Sequence, residues 1–480
     1  MYDVSHVGHA RLFVSVDVLQ RLLADRFALP VDSVMNVTDV DDKLIRRARD
    51  SACDVRSLAR DMEALFLADM RALNVRAPSR LTRVTEFVPE IVALIEQIVA
   101  AGFAYVADSG SVYFDVRARL RDSTHARLMP SRIARVLADA PPSVPGDGDE
   151  AAAVDKRFWA DFALWKAAAD EPAWPSPFGR GRPGWHIECS AMCRAAFGDH
   201  LDVHAGGADL RFPHHENEIL QCEALRGDDA QKQWPNYFLH VGHVHVAGQK
   251  MSKSLKNFVS VQECLASHSA EQFRWFCLMH RYDDAVEWSA SAMQNAFHQA
   301  SRVREFIDAL RRHVDAPPPL AGTLQWREHE SSLLRQVFAA RGAIDACLRS
   351  NFDTAAALHE LNRLIKLVSA YMGAHGERVG VARGVLSDTL AYVTSLLDHF
   401  GLQEHRRALT DGSDARAAAV ADAALAIRER LRAVARQVEH KPSSALLWKL
   451  ADEVRDEILP AAGLDVRDES PTKSNWRWRL

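Results

Sequence analysis

The stretch MYDVSHVGHARLFVSVDVL, residues 1–19, holds a His-Val-Gly-His turn at residues 6–9 directly ahead of apolar positions at helical spacing. A turn of this kind normally follows a buried strand, because the strand aims the turn and the next helix offers its N-terminal amides to phosphate. His6, Gly8 and His9 are therefore candidate phosphate-binding residues. The apolar spacing of ARLFVSVDVLQRLLADRF (10–27) predicts a helix, and DSVMNVTDV (32–40) reads as the strand after it. The predicted unit is βαβ-like, and the fold class is α/β.

Further along, FAYVADSGSVYFDV (103–116) reads as strand-rich, and DAPPSVPGDGDE (139–150) as a solvated loop. WHIECSAM (185–192) and YFLHVGHVHV (237–246) mark a return to the α/β pattern. After a proline break in DAPPPLAG (315–322), residues 325–460 are rich in Ala, Leu and Arg at helical spacing, which predicts a helical bundle.

In QKMSKSLKNF (249–258), Lys250 and Lys253 stand three residues apart on a short polar loop after a strand-like segment. Two lysines so placed can close over a triphosphate and stabilise charge on departing pyrophosphate. Taken alone, the segment could equally be a solvated basic loop. FPHHENEIL (212–220) begins with Pro213, suited to a first helical position, so that His214 and Glu218 fall at i and i+4 on one face, where two side chains can grip one metal ion. Isolated His/Glu pairs are commonly surface or capping groups. Cys189 in GRPGWHIECSAM (181–192) adds a thiolate, and the three together make a borderline-soft zinc set.

The HVGH and KMSKS segments resemble the signatures of class I aminoacyl-tRNA synthetases. GRPGWHIECSAM, GGADLRFPHHENE (206–218), NVTDVDDKLIRRA (36–48) and KMSKSLKNF (250–258) together resemble the cysteinyl-tRNA synthetases, and the likeness runs from Tyr2 to the NWRWRL tail. This implies a Rossmann-like catalytic domain with its first half at 1–103 and its second half, with the KMSKS loop and stem, at 184–310. A connective domain is inserted at 104–183, an anticodon-binding helical bundle lies at 325–460, and a basic tail at 461–480. The implied reaction is activation of L-cysteine by ATP with magnesium, followed by transfer to the 3′ end of tRNA(Cys), with one zinc ion per chain recognising the thiol.

Residue by residue, the resemblance places Cys189, His214 and Glu218 as three of four zinc ligands. His6 and His9 match the adenylate-site histidines, Lys253 matches the ATP-contacting lysine, and Lys250 and Lys253 carry transition-state charge. Gly8, Gly207 and Asp209 border the nucleotide, while Thr38 and Trp185 line the cysteine pocket. In the tail, Lys473 and Arg477 are candidates to meet tRNA phosphate and Trp476 to stack on an unpaired base.

Size alone would separate cysteine from serine by about 1–3 kcal/mol at most, whereas a metal ion reads softness, so no editing domain is expected. In the family the fourth zinc ligand is a cysteine in a Cys-Gly-Pro-Thr-Val-Tyr-Asp strand before the histidine turn, and here only Tyr2 and Asp3 match. The expectation is a sequence that starts inside the complete product. Cys193 is an alternative fourth ligand, although a small buried thiol is its plain reading.

Two rival functions are a cysteine:amino-sugar ligase and a catalytically impaired paralogue that binds tRNA. The long helical C-terminal region argues against the first, and the intact His6, His9, Lys250 and Lys253 against the second. With 480 residues, 48% hydrophobic and 26% charged, the chain reads as globular, and its net charge of −5 argues against indiscriminate coating of nucleic acid. The most apolar stretch, Val92 to Val106, is interrupted by Glu96 and Gln97 and is short of the roughly 18 residues a membrane span needs. Seven scattered cysteines form no disulfide framework, so a reducing, cytoplasmic setting and a monomer without membrane attachment are expected.

Overall fold

The computed structural model describes residues 4–121, 128–131, 134, 138, 155–226, 233–252, 255, 257–316, 325–403, 424–425, 427–429, 431–436, 441–461, 464–470 and 473–478. The predicted loop at 139–150 and Lys253 lie outside them.

The first helix runs Val7–Arg21 and buries Val7, Ala10, Val14 and Val18 on one stripe. Full burial of an aliphatic side chain stabilises by roughly 1.5–3 kcal/mol, so this face alone anchors the helix. Its start is capped reciprocally: the His9 amide donates to His6 Nδ1 and the His6 amide to His9 Nδ1, each at 3.3 Å. The residues leading into the turn are paired with a distant segment. The Val7 amide donates to Val259 O at 2.9 Å and the Val261 amide to Ser5 O at 3.0 Å.

Strand Val34–Val37 pairs in parallel with Arg80–Arg83, in register from Val34 opposite Arg80 to Val37 opposite Arg83. Helices Asp42–Asp50 and Val55–Ala72, capped by Asp41 and Asp54, make the crossover that a parallel pair requires. A second parallel pair, Val203–Gly207 with Tyr237–Val241, is connected through helix Glu216–Ala224. The first helix packs on this pair and on strand Val244–Val246. Between the two parallel pairs lies an antiparallel sheet with the order Ala104–Val106, Val112–Phe114, Phe162–Ala167 and Gly181–Pro183. WHIECSAM falls in helix Trp185–Phe197, which packs on helix Val88–Ala100.

Helices Ala290–Asp315, Glu328–Arg349, Thr354–Ala374 and Arg383–His399 pack together around Val303, Leu310, Val337, Ile344, Leu361, Leu364, Val393 and Leu396. The same core continues to Val7, Val14 and Val18 of the first helix. A second core gathers Ile91, Ile95, Phe114, Leu164, Trp165 and Ile187. Residues 403–480 form a separate compact unit. It contains helix Lys441–Glu453 and an antiparallel hairpin, Leu464–Ser470 with Lys473–Trp478. The hairpin gives the tail a regular backbone that its basic composition does not announce.

Candidate active site

Four elements converge on a cluster of metal-ligating side chains. Helix Trp185–Phe197 supplies Cys189, and the wide turn Arg211–His215 supplies His214. Helix Glu216–Ala224 supplies Glu218, and strand Val34–Val37 contributes Asn36. Pro213 follows an extended residue and begins helical backbone, as the sequence expects, with a first turn wider than that of an α-helix. Phe212 is extended at φ −143° and ψ 133°, and the regular helix starts at Glu216. His214 and Glu218 meet at i and i+4 on one face, with Nε2 to Oε1 at 3.0 Å. One ligand atom each from Cys189, His214 and Glu218 lies within 4.8 Å of the other two.

Around this trio is a shell that, apart from Trp185 and Thr38, the sequence did not single out. Asn36 Nδ2 donates to Cys189 Sγ at 3.2 Å. His186 Nδ1 and His214 Nδ1 share a hydrogen bond at 2.9 Å, leaving His214 Nε2 for the carboxylate side. The ring of half-exposed Trp185 stacks on His214, with centroids 4.5 Å apart and planes at 22°. His204 Nε2 approaches Glu218 Oε2 at 3.1 Å, and His215 Nδ1 bonds His240 Nε2 at 2.8 Å. His204, His215 and Glu218 thus form a second close group that shares the same carboxylate. Thr38 follows the strand that carries Asn36, and that strand packs on the Trp185–Phe197 helix.

Of the trio, only the Cys189 thiol needs a nearby cation to ionise. Burial pushes the Cys189 thiol well up, and the nearby Glu218 carboxylate adds to this. Burial also opposes ionisation of Glu218, but His204 beside it overcomes this and holds it below its ordinary value. Burial lowers His214, and it takes His215 to about 2 and His240 to about 4, so these rings are neutral, as metal ligands and their supports must be.

The candidate phosphate-binding residues lie at the start of the first helix, at the end of strand Val203–Gly207 and after strand Val244–Val246. The rings of His6 and His9 stack at 3.7 Å over the start of the first helix. A Cβ at Gly8 would fall 2.8 Å from the His6 ring, so only glycine allows this stacking. Gly207 ends its strand, and a Cβ there would fall 2.6 Å from Asp209 Oδ1. Lys250 Nζ lies 3.4 Å from Asp209 Oδ2. The loop after Lys250 is pinned by Asn257, whose Oδ1 accepts from the Ser252 amide at 2.9 Å and whose Nδ2 donates to Lys250 O at 3.2 Å. Lys473, Trp476 and Arg477 sit on the backbone of the C-terminal hairpin, and their side chains lie outside the described residues.

Comparison with known proteins matches these features. The class I (C) tRNA-synthetase catalytic domain matches residues 1–298. A cytoplasmic cysteine–tRNA ligase of Dictyostelium discoideum is 36% identical over 492 residues, covering 100% of this chain and 73% of the relative. The chain belongs to the cysteine–tRNA ligases. A relative from Xenopus tropicalis, named "Probable cysteine--tRNA ligase, mitochondrial", is 38% identical over 92% of this chain and 75% of its own. Among solved structures, Mycobacterium tuberculosis methionyl-tRNA synthetase with methionyl-adenylate superposes with a TM-score of 0.62 at 17% identity, covering 85% of this chain and 91% of that one. A leucyl-tRNA synthetase ternary complex from Agrobacterium radiobacter K84 gives a TM-score of 0.60 at 12% identity, covering 86% and 84%. These two carry the fold, a class I synthetase core followed by helices.

Proposed function

We propose that this class I ligase activates L-cysteine with magnesium-bound ATP, releases pyrophosphate, and passes the cysteinyl group to the 3′ end of tRNA(Cys). The observation that supports cysteine as the amino acid is the close grouping of Cys189, His214 and Glu218, a thiol, an imidazole and a carboxylate. That donor set suits a borderline-soft ion, and His186 and Asn36 supply the supporting hydrogen bonds such ligands need. Zinc is the ion that fits, and when bound there it supplies a soft Lewis acid that favours a substrate thiolate over a hydroxyl.

The chain's own groups do the rest. Trp185 stacks on His214 and narrows the approach to the ligand trio, and Thr38 is proposed to line the cysteine pocket with it. His6 and His9 stand at the first helix N-terminus, where amides and imidazoles meet phosphate. Lys250, with Lys253, offsets charge that grows on the leaving pyrophosphate, and Gly207 and Asp209 border the nucleotide. Since the adenylate is already activated, no side chain need act as a strong base in the transfer. Lys473, Trp476 and Arg477 on the C-terminal hairpin are proposed to meet tRNA. A monomeric, cytoplasmic protein accords with the cytoplasmic relatives and with seven free thiols.

The test is ATP–pyrophosphate exchange with cysteine and serine on protein assayed for metal. The expected result is about one zinc per chain and a cysteine preference of at least ~1,000-fold, more than size discrimination can give. Equal exchange with serine would refute the metal-based selection.

A further inference from the structure

The loop of Lys250 is not left to find the nucleotide by diffusion. In this structure its ammonium is already tied across two elements, and the tie is built on a rigid base. His243 Nε2 donates to Asp209 Oδ1 at 3.3 Å, while Lys250 Nζ reaches Asp209 Oδ2 at 3.4 Å, so each carboxylate oxygen has its own donor. The hydrogen bond from His243, reinforced by the charge of Lys250, holds Asp209 well below the ordinary carboxylate range.

The backbone of His243 is held in place. Its carbonyl accepts from the Val286 amide at 2.9 Å and from Arg11 Nη1 at 3.3 Å. Buried Arg11, two residues after the histidine turn, also donates to Gly242 O at 2.6 Å and Asp284 O at 2.7 Å. A Cβ at Gly242 would fall 2.0 Å from Asp284 O, so the backbone there passes with no side chain at all. The missing side chain at Gly207 gives Asp209 the room to fold back toward His243.

We propose that His243 is a positioning residue for the activation step. It orients Asp209, and Asp209 holds the Lys250 ammonium at the nucleotide site as a latch that the triphosphate releases. Lys250 and Asp209 are both about half exposed, so their link is weak and a polyphosphate, with its larger charge, can take the lysine over. Asp209 then stays aligned by His243 and does not swing into the phosphates. The role rests on the synthetase reading above, but the latch itself exists without substrate and can be measured without activity.

Trypsin must draw the Lys250 ammonium into its own specificity pocket to cut after it, which the latch opposes. The experiment compares the rate of tryptic cleavage at the Lys250–Met251 bond, read by mass spectrometry on the nucleotide-free full chain, for wild type, Asp209→Asn, His243→Ala and His243→Gln. Steady-state exchange with ATP and cysteine varied separately accompanies it, and circular dichroism checks folding. Cleavage is expected to rise about 3- to 5-fold in Asp209→Asn and His243→Ala, the scale of an exposed ion pair. His243→Gln, which keeps a donor near the same place, restores protection. His243→Ala should raise KM for ATP by a similar factor with KM for cysteine unchanged, a split that general loosening of the fold would not produce. Unchanged cleavage in folded Asp209→Asn and His243→Ala would overturn the latch. A faster-cut variant in a chain that exchanges no pyrophosphate even as wild type would keep the contact and overturn the synthetase reading on which its role depends.

Discussion

At the residue scale, the site is a set of side chains whose properties are made by their neighbours. Gly8 shows this most simply, since the stacked rings of His6 and His9 occupy the space its Cβ would need. Gly8→Ala should therefore displace the His6 ring and lower exchange by on the order of tenfold or more, with the melting temperature nearly unchanged. Retained activity in the folded variant would remove the histidine stack from the mechanism. The cysteines separate in the same way. Burial pushes Cys264 and Cys277 up to about 12, whereas Cys53 is exposed. Timed alkylation with peptide mapping should label Cys53 first and leave Cys264 and Cys277 untouched in the folded chain, and a strong chelator should speed labelling of Cys189 if it ligates a metal. The sequence pointed to Cys189, His214 and Glu218 because spacing and residue type are local properties. It did not point to Asn36, which lies 153 positions from Cys189, or to His186 and His204, since their roles exist only once two helices and a strand pack together.

At the element scale, short caps and ion pairs hold the helices where the site needs them. Ser289 caps the helix Ala290–Asp315 by accepting from the Ala292 amide at 3.1 Å. Ser289→Ala should cost about 0.5–2 kcal/mol in a denaturant titration, with exchange kinetics unaffected. Helix Val55–Ala72 is tied to strand Arg80–Arg83 by Glu63, which receives Arg83 Nη2 at 2.6 Å and Nε at 2.8 Å. The Arg83 hydrogen bonds hold Glu63 below its ordinary value of 4.5. A lowered carboxylate contributes stability that is fully present above the ordinary value and is lost as pH falls through the folded one. Wild type should thus exceed Glu63→Gln in stability at neutral pH, and the gap should close as pH drops below about 4.5; a gap independent of pH would show that the ion pair is not its source. Helical periodicity made the elements around these pairs readable in advance. The extended Phe212 inside FPHHENEIL follows from the proline after it, whereas the wide turn over Arg211–His215 is not visible in the local pattern.

At the scale of the whole molecule, the catalytic α/β part and the helices after it within residues 1–402 share one buried polar joint. Arg274, fully buried, pairs with Asp17 of the first helix, donates to Leu73 O at 3.1 Å, and donates to Phe400 O at 2.9 Å beyond helix Arg383–His399. Asp17 also accepts from Arg21 at 2.8 Å and from the Arg76 amide at 2.9 Å. Arg274→Met leaves that carboxylate buried with one charged partner fewer and frees two carbonyls, so it should destabilise by about 3–5 kcal/mol in urea. A loss below about 1 kcal/mol would mean the joint is not needed for the two parts to stand together. By itself the sequence determined the class of fold and pointed to the His6–His9 turn, the Lys250 loop and the Cys189, His214 and Glu218 set, because caps, periodicity and residue chemistry act over a few neighbouring positions. Only the tertiary structure decided that residues 5–7 pair with 259–261, that Asn36 and His186 support the ligand trio, that His243 aims Asp209 at Lys250, and that Arg274 joins the parts. Those contacts join elements remote in sequence, and they form only when the burial of both cores brings the elements together.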